Sequence, residues 1–482
     1  MSRPMPPKIP APLRLLLAGA LLSTLAACAS AGRYPVQAAR VPTGYGAGSS
    51  SLGPGTAAPV SGLDVPGADV RRDTWWHGFN DARLDRLVAH VLEVNNDLAV
   101  AGLNVQKARL QAGLAQNALL PDPSLSSIAT STSRATDRTA DWQRSGSSAG
   151  VSLQWEIDLW GRLRTQRDIA TWSALATEED RQNTALLAIG DAINHYWNLA
   201  YLNQSIAAGA ADLARLQRTL ELVQARSAAG AASGMEVRQA NQNLQAQRAA
   251  QSALEQQRVE ARNALTVLLD GQPWPHDDEP QTLAAATSPA IDAGLPASLL
   301  ARRPDLRAAE LRLRNSLQQI HVTATSFYPT LSLNVGLATN GSSLGRVLAN
   351  PVATLGAGLA LPFLNLQKSQ LTTDLAGTDY QIAATGFRKT LYTALSEVDN
   401  ALSAREQLAL QVAASQASYE DAVAVERAEE VRYRVGATDL RDWLLAQQTR
   451  RQAELSLARA RQSQLANDVA LFKALGGSAA RS

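Results

Sequence analysis

Few residues in this chain could do chemistry, and they are scattered. The five histidines, His77, His90, His195, His276 and His321, show no H-x-x-x-H spacing and no Cys/His cluster, so no metal site is expected. Methionine occurs at Met1, Met5 and Met235 alone, which leaves no thioether-lined path for soft metals. Gly341-Ser342-Ser343-Leu344-Gly345 fits the G-x-S-x-G pattern. A nucleophile elbow needs a strand-to-helix turn, whereas this motif falls between two expected strands, so it reads as a surface loop. Glu178-Glu179-Asp180 reads as a solvated helix face. No phosphate-binding glycine loop and no catalytic constellation is present. The expectation is therefore no enzyme, no cofactor and no metal, with any energy supplied by partners.

One residue does carry a modification signal. Arg3, Lys8 and Arg14 precede the apolar run Leu15 to Ala27, the pattern of a secretory signal. That run ends in Leu25-Ala26-Ala27-Cys28, the bacterial lipobox, in which cleavage precedes a cysteine that is then acylated. An ordinary signal with a chance cysteine is the alternative. Cys28 is the sole cysteine, so no intramolecular disulfide can form even in an oxidising compartment. Several acyl chains, at about 0.8 kcal/mol per buried methylene, would anchor the chain in outer membrane lipid. Ala29, rather than Asp, follows the cysteine and suggests outer membrane sorting.

Charge excludes one partner class. Lys and Arg number 45 against 43 Asp and Glu, and losing the leader reverses that small excess. No basic patch of the kind that grips nucleic acid is evident. The mature chain also lacks a run of about 18 apolar residues, so no transmembrane helix is expected. A chain held at a membrane without one must be anchored, or must cross as a closed β-barrel.

The elements that position these residues come in two halves. Asn96-Asp97-Leu98 matches Pro304-Asp305-Leu306, and Leu120-Pro121 matches Tyr328-Pro329, at an offset of 208. Asp168 and Asp374, Thr184 and Thr390, Gly230 and Gly436, and Gly271 and Gly477 match at 206. The expected organisation is a signal over 1–27, a lipidated Gly/Ser/Pro-rich tether over 28–74 and a first repeat over 75–271. A Pro-rich connector over 272–304, a second repeat over 305–477 and a short tail over 478–482 complete it.

Each half reads as helix, two strands, long helix, helix. Strands are expected over about 121–159 and 329–363. Val151, Leu153, Trp155, Ile157 and Leu159 alternate with polar residues, as do Leu331, Leu333, Val335 and Leu337. Leu355, Ala357, Leu359, Leu361 and Phe363 continue the odd-numbered apolar face. Trp142, Trp155 and Trp160 are candidates for a lipid interface. Loops are expected at 134–143 and 340–350. Pro is absent from Arg162 to about Ser227 and from Gln367 to about Val435, enough for helices of roughly 100 Å each. Their 3–4 apolar spacing predicts coiled-coil packing.

Four strands cannot close a barrel, and an open sheet edge in lipid is not viable, so the chain is expected to oligomerise. Two copies would give about eight strands, a barrel filled by its own side chains, whereas three give about twelve and leave a lumen. If these strands cross a membrane, a homotrimer is the expectation; a soluble two-layer sheet protein with a helical stalk is the alternative.

Trp155-Glu156-Ile157-Asp158-Leu159-Trp160-Gly161-Arg162 and Leu299-Leu300-Ala301-Arg302-Arg303-Pro304-Asp305-Leu306 resemble signatures of the TolC-like outer membrane factors. So do Tyr328-Pro329-Thr330-Leu331-Ser332-Leu333 and Glu397-Val398-Asp399-Asn400-Ala401-Leu402, within the NodT-type lipoprotein branch. Leu364-Asn365-Leu366-Gln367 departs from the family's glycine-rich turn at the second strand-to-helix junction. The resemblance implies an α+β membrane protein, a trimeric twelve-stranded barrel continued by a periplasmic α-helical barrel. It also implies a periplasmic adaptor and an inner membrane transporter of the RND type as partners. The implied function is a passive exit duct for drugs or other toxic small molecules in a tripartite efflux system. A non-conducting coiled-coil scaffold lipoprotein and the exit duct of a type I protein secretion system remain as alternatives.

Two glycines, Gly230 and Gly436, interrupt the long helical patterns where the chain must reverse. Val435-Gly436-Ala437 resembles the family's tip motif that meets the adaptor, and Ala229-Gly230-Ala231 is its partial counterpart. Just beyond lie Asp439, Arg441 and Asp442, the candidate channel gate. Asp442 matches one acidic gate position of the family, while Leu445 stands where another commonly has Asp. Repeated three times, an inward Asp would form a cation-favouring ring, with Arg441 as a partner that holds the closed state. The alternative is that these charges cap an exposed turn.

Overall fold

The computed structural model describes residues 74–132, 144–283, 289, 299–341 and 351–477. The signal, Cys28 with its tether, Trp142, the 134–143 loop, Ser342 to Gly345 of the G-x-S-x-G stretch and the tail lie outside the described residues. The chain divides into two compact units.

The first unit, Gln116–Ile169 with Ser316–Ala384, holds a four-stranded antiparallel sheet in the order β1-β2-β3-β4. Its strands are β1 (Asp122–Thr132), β2 (Arg144–Ile157), β3 (Thr330–Gly341) and β4 (Pro351–Ala360). Register puts Leu125 opposite Val151, Val151 opposite Leu337 and Leu337 opposite Ala353. The next row is Pro123, Leu153, Val335 and Leu355. Cα partners in an antiparallel ladder face the same side, so these rows form one continuous apolar face. Ser124, Ser152, Gly336 and Thr354 share a row of the other face, as do Gln154, Asn334 and Gly356. The apolar face is bare: Leu125, Val151, Val335, Leu337 and Leu355 are all exposed. Within the sheet β1 and β4 each pair on one side alone.

Three expectations at the strand ends are corrected. Leu361 and Phe363 do not extend β4. Pro362 cannot donate to a ladder, and the chain turns there into a 3-10 helix, Pro362–Leu364. Leu159 lies beyond β2, because Asp158 turns the chain and caps the next helix, accepting from the backbone N–H of Leu163 (3.1 Å) and Arg164 (3.0 Å). Asn340 and Gly341, expected in a loop, end β3. Asn365 does at the second junction what Asp158 does at the first, its Oδ1 accepting from Lys368 N–H at 3.0 Å.

The second unit holds the remaining described residues and is helical. Among the described residues the α-helices longer than about one turn are α1 (Ala82–Val94), α2 (Asn96–Asn117), α3 (Arg162–Ala228), α4 (Gly234–Leu268), α5 (Pro304–Thr325), α6 (Leu366–Arg434) and α7 (Leu440–Leu475). At 67 and 69 residues, α3 and α6 are the Pro-free stretches seen in the sequence. Leu186, Ile189, Ile193 and Tyr196 of α3 pack with Leu465, Val469 and Phe472 of α7. Trp75, Trp76 and Phe79 close over this core, Trp75 stacking on Phe472 at 4.6 Å between centroids.

The acidic triplet is not a solvated face. Glu179 is buried and pairs with Arg307 at 2.9 Å, Asp180 pairs with Arg312, and Glu178 meets Arg181 at 2.5 Å and Arg109 at 3.5 Å. These carboxylates tie α3 to α5 and α2. Burial pushes the Glu179 carboxyl above its usual range, with Arg307 opposing. The Arg302-Arg303-Pro304-Asp305 segment is also a tie. Arg303 grips Asp305, reaches Glu397 of α6 at 2.7 Å and donates to the Ala474 carbonyl at the end of α7.

Candidate functional site

Both helix reversals close in the same way. Gly230 and Gly436 take positive φ, 79° and 78°, which a side chain would strain. The N–H of Gly230 bonds the Ser227 carbonyl and that of Ala231 the Arg226 carbonyl, at 3.0 and 2.8 Å. Gly436 to Tyr433 and Ala437 to Arg432 repeat the arrangement at 3.1 and 2.8 Å. These are Schellman ends, which satisfy the last carbonyls of α3 and α6. Ala229, Gly230 and Ala231 are exposed, and so are Val435, Gly436 and Ala437.

The two restarts differ. Ser233 and Glu236 form a complete capping box at the start of α4. Asp439 and Asp442 stand at the equivalent positions before α7, and the box is lost. Asp439 makes no side-chain cap bond, and Asp442 instead accepts from the Thr438 hydroxyl at 3.0 Å. Asp439, Arg441 and Asp442 are all exposed, and within the chain Arg441 pairs with neither acid among the described residues. Two exposed carboxylates at a helix N-terminus, one of them held by Thr438, are favoured by its dipole.

Behind the turns lies a braced core. Tyr433 stacks on Trp443 at 5.2 Å, and the Arg226 guanidinium sits 4.5 Å over the Tyr433 ring while donating to its carbonyl at 2.9 Å. Leu216, Leu220 and Val223 of α3 complete it with Leu440 and Leu444. The first reversal is thus bound to the second through Arg226 and Tyr433.

Further along α7, Arg450 is a buried cation, its side chain 4% exposed. It pairs with Asp212 of α3, with Glu426 of α6 at 2.5 Å and with Glu454 of its own helix at 2.6 Å. Burial pulls the guanidinium pKa down, but Asp212, Glu426 and Glu454 raise it above the usual value. Gln447 adds a 3.2 Å bond to Thr219. Sequence reasoning missed this cluster, although Leu440, Leu444, Gln447 and Arg450 share the 3–4 spacing that marks an inward face.

Trp155 and Trp160 are both tied to backbone, Trp155 to the Leu119 carbonyl at 3.0 Å and Trp160 to that of Pro329 at 2.7 Å. No helix among the described residues is long and apolar enough to cross a membrane, and no group of metal-ligating side chains stands together among them.

A bare, apolar-faced antiparallel sheet carried on very long helices, with reversals at matched glycines, defines the class of TolC-like outer membrane channels. The chain belongs to the outer membrane efflux protein family, whose sequence profile matches residues 87–271 and 295–477. It is 31% identical over 435 residues to the pyoverdine export outer membrane protein OpmQ of Pseudomonas putida, covering 87% of this chain and 92% of that one. The toluene efflux pump outer membrane protein TtgC of Pseudomonas putida is 28% identical over 432 residues, 87% of each chain. The open-state MtrE outer membrane channel of Neisseria gonorrhoeae superposes with a TM-score of 0.75 at 26% identity, covering 84% of this chain and 91% of that one. The protein is an outer membrane efflux component, and its family is one of channels rather than enzymes.

Proposed function

We propose that three copies of this chain form a passive exit duct for toxic small molecules, the outer membrane stage of a tripartite efflux system. The observation that carries this reading is the sheet. Its bare apolar face suits lipid, but its outer strands lack neighbours within it, and lipid does not tolerate such open backbone edges in one copy. Three sheets joined edge to edge make a closed barrel of about twelve strands, with Ser152, Gln154, Asn334 and Thr354 lining water. The helices continue the wall into the periplasm, and the two similar halves, 75–271 and 305–477, give the duct its internal symmetry.

Cys28 carries the lipid that sorts and tethers each copy in this reading. The exposed reversals, Ala229-Gly230-Ala231 and Val435-Gly436-Ala437, are the contact for a periplasmic adaptor. The adaptor in turn joins an inner membrane transporter of the RND type, which supplies the energy. Asp439, Arg441 and Asp442 form the gate, with Arg441 free to pair with a carboxylate of a neighbouring copy. Relatives that export pyoverdine and toluene support small organic molecules as the cargo. Reconstitution in a planar bilayer tests the reading: discrete, cation-preferring conductance is expected, and a stably inserted protein that carries no current refutes it.

A further inference from the structure

Beside the second reversal, α6 and α7 leave an open groove of about 450 Å³ between them. Ala422 and Ala446, both buried, form its floor, and Val425 and Leu445, 53% and 58% exposed, stand over it. Asp421, Glu429 and Asp442 line it as well, and no lining residue among the described ones is basic. Asp421 has no partner among the described residues, and Asp442 holds only the Thr438 hydroxyl. Glu429 gives one oxygen to Arg432 at 2.6 Å, while its Oε2 is buried with no hydrogen-bond partner.

The first half fills the matching positions with bulk. At the offset of 206, Ala422 corresponds to Leu216 and Glu429 to Val223, and both of these are buried in the core behind the reversals. A methyl group and a carboxylate in their place leave room and give that room a charge. Leu445 completes the difference. Where the family commonly carries a further Asp, this chain sets an apolar side chain close to Asp442. A fourth acid would make the lining a trap for any cation, whereas the leucine makes it amphipathic.

We propose that this groove binds amphipathic organic cations, a class of cargo for the duct. The apolar body lies between Val425 and Leu445, and the ammonium head meets Asp421, Glu429 and Asp442. The inference rests on the duct reading above and deepens it by naming what is carried. Size and charge both argue for this occupant. Cavities of about 300–1,000 Å³ take drug-sized molecules. An unpaired buried carboxylate oxygen is costly until a donor reaches it, and an ammonium N–H is such a donor. Neutral molecules gain only the apolar contact, and anions meet three carboxylates.

Equilibrium dialysis of the full-length protein in detergent, with empty micelles as the blank, tests this with naphthylmethylammonium as the probe. The parent should bind it about tenfold more tightly than methylammonium, which lacks the body, or naphthalenemethanol, which lacks the charge. Asp421→Asn should weaken binding roughly threefold at low salt. Leu445→Asp adds a charge but removes an apolar wall, and should weaken binding about tenfold. Should that variant fail to assemble, the nearly isosteric Leu445→Asn carries the same expectation. A site made by charge alone would instead bind the probe more tightly in Leu445→Asp, and that result overturns the proposal. So does a parent that takes up no more probe than empty micelles. Binding by dissociated monomers that is lost in the assembled protein shows that a neighbouring copy covers the groove, and overturns it too. A parent that binds the amine but carries no current in a planar bilayer refutes the duct reading and leaves the groove standing as a cation site.

Discussion

Arg450→Ala should loosen the helices behind the tip, and the size of the effect follows from the partners left behind. Asp212 keeps Arg215 at 2.8 Å, so its charge stays compensated. Glu426, its side chain 11% exposed, loses its Arg450 contact. Breaking one side of a buried pair costs roughly 3–5 kcal/mol, and the surviving Arg215 contact places this case near 3. A penalty of about 3 kcal/mol multiplies the locally open population by roughly 150, at tenfold per 1.4 kcal/mol. Amide hydrogen exchange along residues 443–458 of the detergent-solubilised protein measures it. Arg434→Ala is the control, because that pair with Glu430 is exposed and is worth at most about 0.5 kcal/mol, less than a threefold change. Adding Glu426→Gln to Arg450→Ala removes the orphaned charge and should recover much of the protection. If Arg450→Ala exchanges like Arg434→Ala, the buried cluster does not hold the helices, and the reasoning fails.

Other measurements test separate parts of the structure. Cys28→Ser should abolish metabolic labelling with palmitate while the sheet still inserts, and retained labelling would remove the lipobox reading. Asp442→Ala should lower cation selectivity or raise resting conductance. Ala437→Trp should cut efflux at unchanged trimer yield, and it avoids the strain that any side chain meets at the positive φ of Gly436. If both variants behave as the parent, the reversal is neither gate nor docking point. Burial raises the Glu279 pKa, but bonds from Arg262 and His276 lower it further, leaving it below its ordinary 4.5. Its contribution is therefore present above that value and lost as pH falls through the depressed one. Glu279→Gln should flatten the acid limb of the unfolding midpoint below about pH 4.5, and an unchanged limb would show that the Arg262–Glu279 pair is not what titrates.

Much of the architecture was legible in local pattern. A Pro-free run of the length of α3 has few other structures open to it, and the alternation of β2 and β3 announced a sheet with unlike faces. The errors came where a single residue or a distant partner overrode the pattern. Leu361 and Phe363 kept the right period, but Pro362 between them could not stay in a ladder. Glu179 looked solvated because what buries it, Arg307, lies far along the chain. At the reversals the glycines were readable from φ requirements, whereas Arg226 over Tyr433 depends on two helices meeting and has no local signature. Arg450 had one, a charge in an inward heptad position, and only the three converging carboxylates give that oddity its meaning.

The rods α3 and α6 differ by two residues, 67 against 69, which is about 3 Å of rise. Each added residue also turns everything beyond it by about 100°. A single insertion at the middle of α3 would therefore swing Leu216, Leu220 and Val223 away from Leu440 and Leu444, and Arg226 away from Tyr433. Length in this protein is coupled to angular phase. Insertions of about seven or eleven residues bring the phase back to within about 20°, so the contacts at both ends of a rod survive length changes of those sizes. The pair of rods acts as a ruler graduated in steps of about 10 Å.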